Sequence, residues 1–152
     1  MKLQGEYTFD GARKEVWKML RDPDMLMLAL PGTKSLKQIS ETQYEGELQV
    51  RIGPIAGSFG GKLTVSNEMP PEKVTLTIEG NGKIGFVKGS GDVILIDQGD
   101  AKTLVQYSGE LQIGGRVASV GQRLFDTVSK SMIEQGFNKL NGILQDRAAA
   151  KN

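Results

Sequence analysis

The sequence predicts an α+β domain in which a curved antiparallel sheet packs against one long C-terminal helix. Through the middle of the chain, apolar and polar residues alternate in short segments, which is the period of half-buried strands. From Gly114 to Ala150 there is no proline, and apolar residues recur at steps of three and four, as in an amphipathic helix. Such a helix would be roughly 50 Å long and needs a large apolar surface to cover.

Composition limits the possible functions. The 152 residues predict a single domain spanning 1–152, and 19 Lys plus Arg against 18 Asp plus Glu give no electrostatic reason to expect nucleic acid. The chain has no cysteine and no histidine, so the commonest general base and the commonest transition-metal ligand are both missing. No apolar run approaches the ~20 residues of a membrane span. We therefore expect a soluble cytoplasmic protein with no metal site and no covalent cofactor.

The N-terminal region predicts a strand followed by two helices. Leu3 to Phe9 alternates as a strand, and Asp10 stands where the N-cap of a helix is expected. That helix carries Trp17, for which we expect a packing role, and ends at Asp22-Pro23. Met25 to Leu30 is uniformly apolar and predicts a short helix, either a buried connector or a lid over a pocket.

Six further strands are predicted, making about seven in all. Gly53-Pro54 and Asn81-Gly82 predict tight turns between strands, and Gln98-Gly99-Asp100 predicts another. The alternation does not decide which face of the glycine-rich residues 84–96 points inward. The predicted strands are Leu36–Ile39, Tyr44–Ile52, Ile55–Val65, Val74–Ile78, Ile84–Ile96 and Val105–Ile113.

Motifs for chemistry are weak. Gly80 to Gly85 matches a dinucleotide-binding pattern, but a strand-like segment follows where a helix N-terminus is needed, so a hairpin is the better interpretation. Glu45 and Glu47 lie on the polar face of their strand, and no serine or threonine has a histidine to activate it. Arg116, Arg123 and Lys130 recur every seven residues, which indicates a solvated helix face or a site for an acidic partner or anionic lipid.

We predict that sheet and helix enclose an apolar pocket, with Met25 and Leu28 at its mouth. A filled core would use the same residues, so that alternative stays open. The predicted ligand-binding residues are Met25, Leu28, Leu30, Leu48, Val50, Phe59, Leu63, Val65, Leu76, Ile78, Phe86, Leu111, Ile113, Leu124, Phe125 and Val128.

Several segments resemble the CoxG family of carbon monoxide dehydrogenase subunits over nearly the whole chain. They are Leu30-Pro31-Gly32, Val50 to Ile55 with Gly57, Phe59, Gly61 and Lys62, Gly85-Phe86 with Lys88-Gly89, and Gly114-Gly115. The resemblance implies the START-like (SRPBCC) helix-grip fold, in which hydrophobic ligands lie between a curved sheet and a long C-terminal helix.

The resemblance also implies a non-catalytic role beside a molybdenum-containing carbon monoxide dehydrogenase or related hydroxylase. There the chain would bind a lipid or quinone, and it would either recruit the enzyme to the inner face of the cytoplasmic membrane by peripheral contact or deliver an electron carrier to it. Two other classes stay open. One is an enzyme resembling the aromatase/cyclases or small hydrolases of the superfamily, which would need an interior acid or tyrosine. The other is an interaction module with a solid interior.

Overall fold

A computed structural model describes residues 1–150 as seven strands, three α-helices and one 3₁₀ helix. In chain order these are β1 (Lys2–Phe9), α1 (Arg13–Arg21), α2 (Pro23–Ala29), β2 (Thr33–Gln38), β3 (Gln43–Ile52), β4 (Ile55–Met69), β5 (Lys73–Gly82), β6 (Gly85–Gly99), β7 (Lys102–Gly114), the 3₁₀ helix (Arg116–Val120) and α3 (Gln122–Ala150).

All seven strands form one antiparallel sheet in the order β1-β7-β6-β5-β4-β3-β2. Six of the strands follow one another as hairpins, while β1 joins the far edge by pairing with β7. Burial alternates along the strands, so one face lies under α3 and the other faces solvent. On β6 the inner face carries Val87, Gly89, Gly91, Val93 and Leu95, which settles the orientation that the sequence left open.

The long helix begins later than its apolar period predicts. Gly115 and Gly121 have φ of 77° and 89°, and these left-handed conformations separate a 3₁₀ helix from α3. Val117 continues the helical period of apolar residues in the sequence. In the structure it belongs to the 3₁₀ helix, where its side chain is fully buried. Arg116 also lies on the 3₁₀ helix, so it does not share one α-helical face with Arg123 and Lys130 as predicted.

The prediction that Asp10 caps α1 is wrong. The N-cap residue is Ala12, and no side chain caps it. Asp10 instead accepts hydrogen bonds from Lys102 Nζ at 2.7 Å, Asn141 Nδ2 at 3.0 Å and Gln145 Nε2 at 2.8 Å. These bonds, that of Lys102 first, lower the pKa of Asp10 from 3.8 to about 2. The carboxylate therefore joins the end of β1 to β7 and to the last turns of α3 rather than serving its own helix.

Two predicted turns are displaced. β5 continues through Asn81-Gly82, Gly82 pairs with Gly85, and the hairpin turn is Lys83-Ile84. Ile84 is only 3% exposed, because its side chain packs with the cluster that contains Val117 and Phe125. Burial of this apolar turn residue therefore outweighs the local preference of Asn-Gly for a turn. The turn between β6 and β7 falls at Asp100-Ala101, whereas the sequence predicted it at Gln98-Gly99-Asp100.

The helices α1 and α2 cover one end of the sheet through specific contacts. Arg21 donates to the hydroxyl of buried Tyr44 at 2.5 Å and forms an ion pair with Glu68 at 3.1 Å, which fastens the end of α1 to β3 and β4. Trp17 packs between two buried clusters, which confirms its predicted structural role. At the end of α2, a Cβ on Gly136 would overlap the carbonyl oxygen of Ala29, so glycine lets the α2 backbone rest directly on α3.

Candidate functional site

The interior between sheet and α3 is buried at its ends and half-buried in between. A cluster around Phe9, Val105 and Leu140, all 0% exposed, fills the end beneath α1; we call it the packed end. A second cluster around Val117 and Phe125 closes the other end. Inner-facing apolar residues outside the buried clusters keep part of their surface accessible, and we call the space that they line the groove. They are Leu48, Leu63, Leu76, Ile78, Leu111, Ile113, Val128 and Met132.

Glycines leave much of the groove floor without side chains. Gly46, Gly61 and Gly80 are direct cross-strand neighbours on the inner face of β3, β4 and β5. The glycine band continues diagonally through Gly89 and Gly91 on β6, Gly109 on β7 and Gly5 on β1. Adjacent strands thus place bare backbone side by side on the inner face of the sheet.

A recess of about 440 Å³ opens where the groove reaches the 3₁₀ helix. It is bounded by the N-terminus of β1, the end of β7 and the first turn of α3. A recess of this volume is within the range of small-molecule sites. The lining residues are Met1, Phe86, Leu111, Gln112, Ile113, Val117, Ala118, Gly121, Gln122 and Phe125.

Fifteen of the sixteen predicted ligand-binding residues divide into three groups by burial, and Met25 is considered separately. Four are packed in the buried clusters, as in the filled-core alternative: Val50, Phe59, Val65 and Phe125. Seven face the groove and are half-buried: Leu48, Leu63, Leu76, Ile78, Leu111, Ile113 and Val128. Four are exposed: Leu28, Leu30, Phe86 and Leu124. Met25, predicted at the mouth, packs instead against the packed end.

Phe86 does not belong to the inner face of the sheet. Alternation along β6 puts it on the face opposite Val87, and it is 38% exposed. Its ring lies against Gly114 of β7, where the missing side chain makes room for it. Phe86 therefore borders the recess from the end of the sheet and does not form part of the groove floor.

Three exposed leucines, which we call the rim leucines, lie at the end of α2 and in the first turn of α3: Leu28, Leu30 and Leu124. Gly32, just after Leu30, packs against the backbone of Gln49, and Leu124 lies 2.9 Å from where Gly53 would carry a Cβ. The three leucines are 43%, 38% and 36% exposed. Leu28 is therefore accessible to solvent, and its place at the mouth of a pocket stays a prediction.

The polar groups of the interior that titrate are tyrosines. Tyr7 donates to Asn138 Oδ1 at 2.6 Å and belongs to an aromatic cluster with Phe9 and Phe137. Tyr107 makes an edge contact with Phe137, with ring centroids 6.3 Å apart. Burial raises the pKa of both hydroxyls, and nearby carboxylates raise them further. Both tyrosines therefore keep their protons at neutral pH and are suited to donate hydrogen bonds.

Sequence reasoning missed the glycine band and the recess residues Met1 and Val117. The glycine band depends on strand register, which pairs Gly46 with Gly61 and Gly61 with Gly80. The even spacing of glycines within each predicted strand was the available signal, but one strand alone does not show which glycines become neighbours.

Residues 5–145 match the model of the CoxG family, which is described as a subunit of carbon monoxide dehydrogenase. A conserved protein from Geobacillus kaustophilus is similar in structure, with a TM-score of 0.90, 32% identity and 96% of each chain covered. No match was found among the curated proteins.

Two more distant structures share the fold. A START superfamily protein from Mycobacterium smegmatis gives a TM-score of 0.71 at 11% identity, covering 95% of this chain and 97% of its own. The Zhui aromatase/cyclase from Streptomyces sp. R1128 gives 0.72 at 12% identity, covering 97% and 95%. At these identities the likeness is one of fold. The chain therefore belongs to the CoxG family and has a START-like fold in which a seven-stranded sheet curves around a long C-terminal helix.

Proposed function

We propose that the chain is a non-catalytic carrier that holds a lipophilic molecule, a lipid or a quinone, in the groove between the sheet and α3. The observation that carries the proposal is the half-buried apolar surface over the glycine band. Inner-facing leucines such as Leu48 and Leu76 keep accessible surface although each packs against a buried cluster. Covering that surface with an apolar guest would release about 25 cal/mol for each Å² removed from water.

Membership of the CoxG family supports the biological setting of this proposal. The family name links it to carbon monoxide dehydrogenase, so the carrier would serve a molybdenum-containing enzyme of that kind as an accessory protein. In this role the carrier works in the cytoplasm and exchanges its guest at the membrane.

Contact with the membrane would be peripheral, through the rim leucines Leu28, Leu30 and Leu124. Their exposed apolar side chains support this part of the proposal, because apolar surface of this kind favours contact with a bilayer. None of the helices within residues 1–150 is long and apolar enough to cross a bilayer.

An enzyme that uses an interior acid or tyrosine has weaker support. The raised pKa values of Tyr7 and Tyr107 make both hydroxyls poor general bases at neutral pH. Asp10, whose pKa is about 2, is held by Lys102, Asn141 and Gln145 at the packed end. The shared fold with an aromatase/cyclase does not itself assign an activity.

The test is to fill the groove with a side chain and to ask what the protein then carries. A Cβ on Gly80 would meet Phe59 at an ordinary 3.5 Å, so Gly80→Leu would project into the groove without overlapping backbone. Gly60→Leu is the matched control, since Gly60 is exposed on the outer face of the adjacent strand and a Cβ there meets nothing within 4 Å.

Organic extracts of the three purified proteins would be compared by mass spectrometry. We expect the native chain and Gly60→Leu to release the same lipophilic molecule and Gly80→Leu to release much less. Displacement of the neutral dye N-phenyl-naphthylamine by added lipid would give the corresponding affinities. Equal extracts from all three proteins, or no extractable guest and no dye binding in the native chain, would refute the carrier proposal.

A further inference from the structure

The hydroxyl of Tyr107 lies on the inner face of the sheet over Gly5 of the edge strand β1, and no group within residues 1–150 forms a hydrogen bond with it. Tyr7, by contrast, donates to Asn138, and Tyr44 donates to the carbonyl oxygen of Arg21. The ring of Tyr107 lies across Gly5 of the neighbouring strand, where a Cβ would overlap the phenol. Gly5 and the edge contact with Phe137 therefore fix the direction of the hydroxyl.

The hydroxyl lies along the same strand as the recess. Tyr107 and Leu111 point to the same face of β7 and are separated by about 13 Å of extended chain. The inner-facing residue between them is Gly109, which has no side chain to divide the space. A molecule that enters over Leu111 can therefore extend along β7, beneath α3, towards the phenol.

The surroundings of the hydroxyl select the kind of group that it can bind. Burial raises the pKa of Tyr107, and the carboxylates of Asp126 and then Glu134 on α3 raise it further. The phenol thus stays protonated and acts as a donor. Lys130 pairs with Asp126 at 3.3 Å, whereas Glu134 is exposed beside the same face. A negatively charged head group would meet these carboxylates, while a neutral acceptor would not be repelled.

We infer that Tyr107 is a specificity-determining residue of the groove, where its hydroxyl donates a hydrogen bond to a neutral oxygen acceptor, such as a carbonyl, on the lipophilic ligand. The inference rests on the proposed function and names the ligand class as neutral carbonyl-bearing lipophiles. Hydrocarbons would gain nothing from the phenol, and fatty acid anions would be disfavoured.

The test uses three probes that differ only at the head: methyl undecyl ketone, dodecane and dodecanoate. Each is titrated against the full chain loaded with N-phenyl-naphthylamine. Tyr107→Phe keeps the ring over Gly5 and removes only the hydroxyl. Tyr7→Phe is the control, since it removes a hydroxyl that already has a protein partner. Thermal unfolding of each variant reports on folding.

We expect Tyr107→Phe to weaken ketone binding by about two- to tenfold, the effect of one neutral hydrogen bond, and to leave dodecane binding unchanged. Tyr7→Phe should change neither affinity. The native chain should bind the ketone more tightly than dodecanoate.

Equal losses for ketone and dodecane, no loss for the ketone, or tighter binding of dodecanoate than ketone would each overturn the assignment. If dodecane binds and the ketone gains nothing from Tyr107, only this inference fails. If the native chain binds none of the probes, the proposed function fails with it.

Discussion

The two halves of α3 cover interiors of different kinds. Beneath its C-terminal half, Leu140 and Leu144 are 0% and 1% exposed and pack against α1 and the sheet. In its N-terminal half, Val128 and Met132 pack against the cluster around Val117 and Phe125 and stay half-buried. One helix with a continuous apolar stripe thus contributes to a filled core at one end and to an open groove at the other. The floor opposite the helix, rather than the helix itself, makes the difference.

The sharpest way to test this contrast is to remove equal side chains from the two regions. Leu140→Ala should lower the free energy of unfolding by about 2–5 kcal/mol, because the packed end cannot collapse around the cavity. Leu111→Ala in the groove should cost about 1 kcal/mol, since its side chain is only partly buried. Urea unfolding of both variants measures the two losses. Equal losses would mean that the groove is packed as tightly as the core.

The contact between the α2 backbone and α3 can be tested by substitutions at two glycines of α3. Gly136→Ala puts a methyl group into the carbonyl of Ala29, so α2 must shift, at a cost of about 1–3 kcal/mol. Gly142→Ala, where a Cβ meets nothing within 4 Å, should instead stabilise the chain by about 0.5–1 kcal/mol through helix propensity.

Thermal unfolding distinguishes the signs of these two changes. A stabilising Gly136→Ala would show that α2 does not rest on the backbone of α3. In that case the division between the packed end and the groove would not depend on this contact.

The smallest expected effect concerns the hydrogen bonds that Asp10 accepts at the packed end. Because the pKa of Asp10 is depressed to about 2, its stabilising contribution is complete above about pH 4 and is lost as the pH falls through about 2. The carboxylate is 34% exposed, so solvent screening reduces this contribution to about 1 kcal/mol. Asp10→Asn should remove this part of the acid sensitivity, whereas Asp100→Asn in the exposed β6–β7 turn should not.

Unfolding free energies measured between about pH 2 and pH 7 check this prediction. If Asp10→Asn retains the acid dependence of the native chain, the linkage assigned to Asp10 is wrong.

Local sequence periods predicted most of the fold. Alternation places Tyr44, Val50 and Ile52 inward on β3 without error, because one face of a strand under a helix must be apolar. The break between the 3₁₀ helix and α3 at Gly121 was not predicted, because Val117 and Val120 continue the helical period of apolar residues across it. Asp10 was misassigned because its partners Lys102, Asn141 and Gln145 are more than 90 residues away in sequence.

The site was harder to predict than the fold. Apolar inward positions such as Val65 and Leu76 look alike in the sequence, yet one is 2% exposed and the other half-buried. The distinction depends on what lies opposite each residue, which register and helix placement decide. Tyr107 likewise shows no sequence signal, because its missing partner becomes visible only once Tyr7 and Tyr44 are seen to have theirs.

Under the proposed function, the contact between Gly136 and Ala29 bears on the size of guest that the groove could admit. α3 is supported at its start by the 3₁₀ joint, near its midpoint by Ala29 and at its end by Asp10. Between the first two supports, α3 extends for about 21 Å without resting on the backbone of another element. Over that span α3 contacts the cluster around Val117 and Phe125 through side chains such as Val128 and Met132. Under the proposed function, shortening either side chain would enlarge the space for a guest while the contact at Gly136 stays in place.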